Sequence, residues 1–243
     1  QVFYLDARKA ALHNALRDSE KFRYPPTSRE EYYKDRSAKI DAIISIIQYH
    51  QQESGRPPLK VKSPPEPNSS EVNTFEPMSW TDFPPHKLVP PKTDDKIVMF
   101  IAFPEHNPFL NAIFRLWGIE TMEIHGGKTP KMRAKTLKAF REAKTAAVLL
   151  VSIVGIAGLN LDCANIMIIA DLLWSKQDEL QLIGRVWRRP QPKHVIVYRL
   201  IALGSPDQFL SDLSWGKGAM HNCFLEKSHP VLGESHRVLF ILI

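Results

Sequence analysis

The chain has 243 residues, of which 44% are hydrophobic, a formal net charge of +6 and a pI near 9.3. This size allows one ordinary domain with extensions, and no apolar run approaches the ~20 residues that a membrane-spanning helix needs. The two cysteines exclude a disulfide framework, and the nine histidines lack ligand spacing, so we predict no metal site. The basic balance permits contact with nucleic acid. The sequence begins at Gln1 without a recognisable signal peptide, and we expect a fragment of a longer protein.

The first part of the chain predicts helices followed by an irregular excursion. Residues 1–27 are predicted to be an N-terminal linker with a short helix from Asp6 to Leu16. A capping box at Ser28 and Glu31 begins a helix that packs on the domain over residues 28–52, with one apolar face formed by Ile40, Ile43, Ile44 and Ile47. Prolines then cluster in pairs between residues 53 and 95. Because proline lacks a backbone donor, we predict a poorly ordered, proline-rich insertion there.

From residue 96 to residue 214, apolar strands alternate with helices. Strands are predicted over 97–103, 119–125, 147–152, 166–170 and 195–201. Helices are predicted over 108–117, over 131–143 with Met132, Leu137 and Phe140 inward, within 174–191, and from Pro206. Strands that are apolar throughout are typical of a parallel sheet covered on both faces. We therefore predict an α/β fold with helices on both faces of a parallel sheet, followed by a C-terminal tail over 215–243.

The stretch from Trp174 to Gln191 is the most informative part of the sequence. Gln181, Arg185 and Arg188 fall at helical spacing, which predicts that they project from one face. The opposite face is predicted to be buried through Leu180, Ile183 and Trp187. Guanidinium groups directed at one point suit phosphate oxygens, because the planar fork donates two hydrogen bonds. On spacing alone, a solvated basic helix is an equally good interpretation, but a position between two strands favours a ligand site.

Two glycine-containing loops follow predicted strands. The loop over 152–161 contains Gly155 and Gly158, which allow backbone amides to approach a phosphate, although a plain glycine turn has the same spacing. The loop over 125–129 ends in Gly-Lys-Thr. A phosphate-binding P-loop needs a further glycine where this chain has Met122, so a self-contained P-loop kinase is the weakest hypothesis.

These residues resemble motifs of the Swi/Snf-type DNA-dependent ATPases of helicase superfamily two. The order Trp174, Gln181, Arg185, Arg188 and Gln191 matches the spacing of their last motif without a gap, with Ser-Lys for Asn-Pro after the tryptophan and Arg-Pro for Ile-Gly before the last glutamine. The residues Ser-Ala-Lys-Ile at 37–40 are similar to the family's Ser-x-Lys helix. The loop over 152–161 is similar to the family's Ser-Thr-x-Ala-Gly-Gly-x-Gly-x-Asn-Leu, with isoleucine at 156 in place of the middle glycine.

The resemblance implies a RecA-like helicase C-terminal lobe over residues 28–52 and 96–214, without the first lobe. In the family, ATP and Mg bind between two lobes, and the second lobe supplies arginine fingers. The resemblance implies three groups of functional residues in this chain. The fingers are Arg185 and Arg188, oriented by Gln181. The nucleotide contacts are Gly155, Gly158, Asn160 and Asp171. The nucleic-acid contacts are Ser152, Gly126 and Trp174.

The resemblance further implies a nuclear chromatin-remodelling translocase that needs its first lobe, contacts the backbone of duplex DNA, has no membrane partner and is inactive alone. The alternative is a diverged, non-catalytic module that binds nucleic acid or protein. The missing first lobe and the altered glycine loop motivate that alternative.

Overall fold

The computed structural model describes residues 2–17, 24–59, 91–145, 147–215 and 236–242. The helices are α1 (Val2–Leu12), α2 (Arg29–Lys34), α3 (Ala38–His50), α4 (Asn107–Leu116), α5 (Pro130–Glu142), α6 (Lys176–Val186) and α7 (Pro206–Trp215). The strands are β1 (Ile97–Phe100), β2 (Thr121–Ile124), β3 (Val148–Val151), β4 (Ile166–Ile169), β5 (Val195–Ile201) and β6 (His236–Leu242). Short 3-10 helices lie at Asn14–Arg17 and Pro104–His106.

The six strands form one parallel sheet in the order β2-β3-β1-β4-β5-β6. Strand β1 lies in the interior of the sheet, and every residue of β1, β3 and β4 is buried. This burial on both faces explains why these strands are apolar throughout. The predicted α/β fold, RecA-like with a parallel sheet and helices, is confirmed. Strand β6 lies in the segment predicted as a tail, and it pairs with the whole of β5 from Val195 opposite His236 onward.

Two apolar clusters cover the two faces of the sheet. On one face, strand residues pack against α3, α4 and the end of α1 through residues that include Ile43, Ile47, Phe114, Trp117 and Leu12. On the other face, they pack against α5, α6 and α7 through Phe140, Leu182, Ile183, Val186 and Leu210. Helix α6, which contains most of the segment predicted to bind a ligand through arginines, therefore shares this face with α5 and α7.

The helix predicted over residues 28–52 is two helices. Ser28 caps α2 by accepting a hydrogen bond from Glu31 N, and α2 ends at Lys34. Ser37 then caps α3 by accepting from Ile40 N, and its own hydroxyl donates to Leu12 O at 2.5 Å. The isoleucine face of α3 is fully buried as predicted. The second cap was missed because the isoleucine periodicity begins only after it.

Met132 was predicted to face inward, but it is 52% exposed. Helix α5 packs on β2, the edge strand, and Phe140 is its one buried residue within the described part of the chain. A helix that covers a sheet edge needs only a narrow apolar stripe, so the helical period alone overestimated the buried face.

Most of the proline-rich insertion, residues 60–90, lies outside the described residues, but its two ends are held together. Lys193 Nζ lies 2.6 Å from Asp95 Oδ1 and 2.9 Å from Asp94 Oδ1, and it also donates to Ser54 Oγ at 3.3 Å. Tyr198 Oη accepts a hydrogen bond from Leu59 N at 2.8 Å. The two described ends of the insertion therefore lie next to β5 and the residues before it.

Candidate functional site

Helix α6, which carries the predicted arginines, is fixed to the sheet by apolar packing and a buried ion pair. Ser175 caps it by accepting from Asp178 N. Glu179 Oε1 lies 2.6 Å from Arg199 Nε on β5, and both side chains are 0% exposed. Although two acidic residues at the start of a helix are typical of a charge pair favoured by the helix dipole, Glu179 lies in the core, where a carboxylate needs a charged partner.

Arg199 extends this buried network to α7. Its Nη1 donates to Ser211 Oγ at 2.6 Å and its Nη2 donates to Ser214 Oγ at 3.3 Å. Glu179 Oε2 is buried without a hydrogen-bond partner among the described residues. The network therefore joins α6, β5 and α7. The one available signal in the sequence was an arginine inside an otherwise apolar strand.

Of the two predicted arginine fingers and the glutamine predicted to orient them, the structure places Arg185 and Gln181 on α6. Gln181 is exposed and Arg185 is half-buried, one helical turn apart. The helix ends at Val186, so Arg188 lies beyond it and is exposed. The prediction of one continuous helical face is therefore wrong for Arg188. Pro190 provides the reason, because proline cannot continue a helix.

Trp187 was predicted to be buried, but it is the C-cap of α6 and is 39% exposed. Ile183 is buried as predicted, at 1% exposed, and the other buried apolar residues of α6 are Leu182, at 1%, and Val186, at 0%. The early end of the helix accounts for this difference, because the backbone turns at Trp187, where ψ is 81°.

The end of α6 is joined to the glycine loop. Leu161 N donates to Arg185 O at 2.9 Å. Gln191 Nε2 donates to Asp162 O at 2.7 Å and to Ala164 O at 2.6 Å. Gln191 therefore orients the chain between the loop and β4, and this contact brings together two motifs that are separated in sequence.

Gly155 is required by a close approach of two backbone segments. A Cβ atom at this position would lie 2.4 Å from Ile124 O and 2.6 Å from the Cα of His125. Ser152 is buried and its Oγ accepts from Gly155 N at 3.3 Å. The side chain of Ile156, which replaces a family glycine, is 2% exposed and packs in the core. Of the loop glycines, Gly158 is exposed and has a positive φ of 78°.

Asn160 and Arg141 fasten the second half of this loop. Asn160 Nδ2 donates to Asp162 Oδ2 at 3.1 Å, and Asn160 Oδ1 accepts from Asp162 N at 3.2 Å. Arg141 Nη2 donates to Asn160 O at 2.7 Å and to Asp162 Oδ1 at 2.6 Å. Both amide atoms of Asn160 therefore have partners within the loop.

Asp171 and Trp174 follow β4 but have different surroundings. Asp171 is 3% exposed and accepts from Ala102 N at 2.9 Å, and burial raises the pKa of its carboxyl. Trp174 is 51% exposed. The guanidinium of Arg8 lies 5.3 Å from the Trp174 ring and donates to Leu172 O at 2.7 Å, so α1 braces this connection.

The Gly-Lys-Thr sequence at 127–129 has structural partners. Lys128 Nζ lies 3.0 Å from Glu123 Oε1, and Thr129 caps α5 by accepting from Met132 N. Burial raises the pKa of the Glu123 carboxyl, but hydrogen bonds from Lys128 and Asn107 outweigh it, so that the pKa is lowered. The P-loop kinase hypothesis therefore has no support in the geometry. The preceding Gly126 is exposed and lies against the side chain of Val154, so the two glycine-containing loops are neighbours.

No cluster of three or more His, Cys, Asp or Glu side chains could hold a metal ion within the described ranges. Among the same residues, no helix is long and apolar enough to cross a membrane.

The parallel sheet, the arginine-bearing helix and the paired glycine loops define a RecA-like lobe. Residues 86–190 match the helicase conserved C-terminal domain family. The chain is 28% identical over 142 residues to the DNA repair protein rhp54 of Schizosaccharomyces pombe. The aligned region is 58% of this chain and 17% of that protein. It is 37% identical over 108 residues to an uncharacterized ATP-dependent helicase of Mycoplasma pneumoniae, and this aligned region is 44% of the chain and 10% of the helicase. The chain thus spans only a small part of these relatives.

Among solved structures, the C-terminal part of the Fun30 ATPase domain is similar, with 26% identity, a TM-score of 0.47 and coverage of 49% of this chain and 39% of that chain. The assignment rests on the sequence matches. The sequence matches support a superfamily-two helicase C-terminal lobe, in agreement with the resemblance to the Swi/Snf-type proteins.

Proposed function

We propose that this chain is the second lobe of a Swi/Snf-like ATP-dependent DNA translocase. The observation that carries the proposal is the setting of α6. A fully buried Glu179–Arg199 pair holds the inner side of this helix, and its outer side presents Gln181 and Arg185. This setting gives Gln181 and Arg185 a fixed direction, and Arg188 follows two residues after the end of the helix.

The residues fit the phosphates of ATP but not its magnesium ion. Arg185 and the exposed Arg188 offer guanidinium donors for phosphoryl oxygens, while the described residues contain no carboxylate cluster for a metal. When bound, ATP supplies the phosphoryl group whose transfer releases free energy. Arginine fingers stabilise the charge on that group and can be worth several powers of ten in rate. We infer that a first lobe supplies the phosphate loop and the magnesium carboxylates.

We further propose that the two neighbouring loops contact the backbone of duplex DNA. Gly126 is exposed, and Ile153 and Val154, at the tip of the loop that Ser152 begins, are 47% and 63% exposed. Trp174 is also available on the surface. The backbone amides of these loops are the groups that would donate to phosphate oxygens, and such contacts carry no base sequence information. A DNA-dependent role in chromatin remodelling, and a nuclear location, belong to the same proposal.

The decisive test replaces Arg188 with Ala in a polypeptide that contains this lobe and a first lobe. We expect DNA-stimulated ATP turnover to fall by orders of magnitude, because the lost contact acts on the transition state. Thermal stability should change little, because Arg188 is exposed and lies outside α6. Lysine should rescue turnover poorly, since it lacks the bidentate fork. Unchanged turnover per folded molecule would refute the finger assignment, and the same pair of measurements on Arg185→Ala tests the second finger.

The chain alone should hydrolyse no ATP above background. Lys128, the lysine of the Gly-Lys-Thr sequence, forms an ion pair with Glu123. A Lys128→Met variant should therefore leave the background rate unchanged. Robust turnover by the purified chain that this variant abolishes would revive the P-loop hypothesis.

A diverged, non-catalytic interaction module is the second candidate function. Specific observations favour it: Ile156 fills the core where the family has a glycine, and both amide atoms of Asn160 are engaged within the loop. This candidate predicts DNA or protein binding without any turnover when a first lobe is present. The Arg188→Ala experiment separates the candidates, because only the translocase has activity to lose.

A further inference from the structure

Helix α5 carries five basic residues and one acidic residue, and three of its lysines form one exposed face. Lys131, Lys135 and Lys138 are all exposed. Their spacing of four and three residues places them on one side of the helix. At 1.5 Å per residue, the face is about 10 Å long. We call Lys131, Lys135 and Lys138 the lysine face.

The two arginines of α5 do not belong to the lysine face, because they form hydrogen bonds with the loop that contains Gly155 and Gly158. Arg133 Nη1 lies 3.5 Å from Gly155 O, and Arg141 donates to Asn160 O and Asp162 Oδ1. These contacts hold α5 alongside the loop for which we propose DNA contacts. At 100° per residue, the lysine face lies on the side of α5 opposite the buried Phe140, so it is a surface separate from the loop.

The lysine face has little compensating negative charge. Within the described ranges, Lys131 and Lys135 have no carboxylate at salt-bridge distance. Lys138 Nζ lies 3.8 Å from Glu142 Oε1, with side-chain exposures of 75% and 66%, so solvent weakens this pair. A helix face that is merely solvated usually alternates in sign, and this face does not.

We propose that the lysine face binds the phosphodiester backbone of duplex DNA. The inference rests on the proposed function and adds a second contact surface to the loops. Duplex DNA carries one negative charge per ~1.7 Å of its axis, so several phosphates lie within reach of a positive track of this length. Lysine binds phosphate as a point charge and needs no particular base, which fits binding without sequence preference.

The test measures how salt weakens binding of the full chain to a fluorescent duplex of about 20 base pairs, since each phosphate contact contributes about 0.9 to the slope of log Kobs against log salt. One variant combines Lys131→Gln, Lys135→Gln and Lys138→Gln. We expect its slope to be flatter than wild type by about 2 to 3 and its affinity at low salt to fall at least tenfold. Two duplexes of unrelated sequence should give the same result.

The matched control combines Arg17→Gln, Lys34→Gln and Lys92→Gln, which removes the same net charge from exposed positions away from α5. We expect its slope to remain close to wild type, and both triple variants should keep the wild-type melting temperature. Equal slopes for the two variants would overturn the inference while leaving the proposed function intact. Absence of salt-sensitive binding by the wild-type chain would overturn both. Tighter binding to an acidic peptide than to DNA, lost in the lysine variant, would also overturn the inference in favour of a protein partner.

Discussion

Loss of the buried pair between Glu179 and Arg199 is expected to destabilise this lobe strongly. Replacing Arg199 with Met preserves the apolar volume of the side chain but leaves the Glu179 carboxylate buried and unpaired. Both side chains are 0% exposed, so water cannot replace the lost partner. Removing one member of such a pair costs about 3–5 kcal/mol. That is a large share of the ~5–15 kcal/mol by which domains are usually stable.

The assay is urea unfolding at neutral pH, followed by circular dichroism. The double variant Glu179→Leu with Arg199→Met should recover most of the loss, because packed apolar side chains often replace a buried pair without penalty. Lys138→Met is the control, since its pair with Glu142 spans 3.8 Å and is exposed; it should cost no more than about 1 kcal/mol. A loss below about 1 kcal/mol for Arg199→Met, or a double variant as unstable as the sum of the single ones, would refute the reasoning.

Three further outcomes test other parts of the structure. Burial lowers the pKa of His50 from 6.5 to about 4. Because the unfolded chain binds the proton first, His50 should reduce stability as pH falls from about 6.5 to 4, by roughly 2 kcal/mol at pH 5, and urea unfolding of His50→Gln should show a shallower pH dependence. Arg8→Met should lower stability by about 1–3 kcal/mol and speed amide exchange over residues 172–174, measured by mass spectrometry. Lys9→Met should leave that exchange unchanged, and equal effects of the two variants would contradict the bracing role of Arg8. Gly155→Ala should destabilise by about 1–3 kcal/mol in thermal unfolding, because a Cβ atom would collide with backbone. Gly184→Ala, in the middle of α6 with open space around it, should instead stabilise by about 0.5–1 kcal/mol, and a reversed order of the two glycine variants would show that backbone packing does not explain Gly155.

The local features of this fold follow from the sequence because their causes are local. Strands β1, β3 and β4 are recognisable as apolar runs, since burial on both faces leaves no polar alternation. The start of α2 follows from Ser28, a cap that acts within four residues. The residue types and spacing from Trp174 to Gln191 were sufficient for the helicase resemblance, because a motif can be recognised without knowledge of the contacts that its residues make.

The tertiary structure decided the features that join distant segments. The pairing of β6 with β5 and the contact of Glu179 with Arg199 are set by which elements become neighbours, and no local pattern encodes that choice. Gly155 looked like a phosphate-binding glycine, yet its lack of a side chain is required by the backbone at Ile124. Trp187 followed the helical period of a buried residue, but the helix ends one residue earlier. The helical period predicts which residues are buried only up to the residue at which the helix ends. The reason for a glycine depends on which segments pack against it in the folded protein.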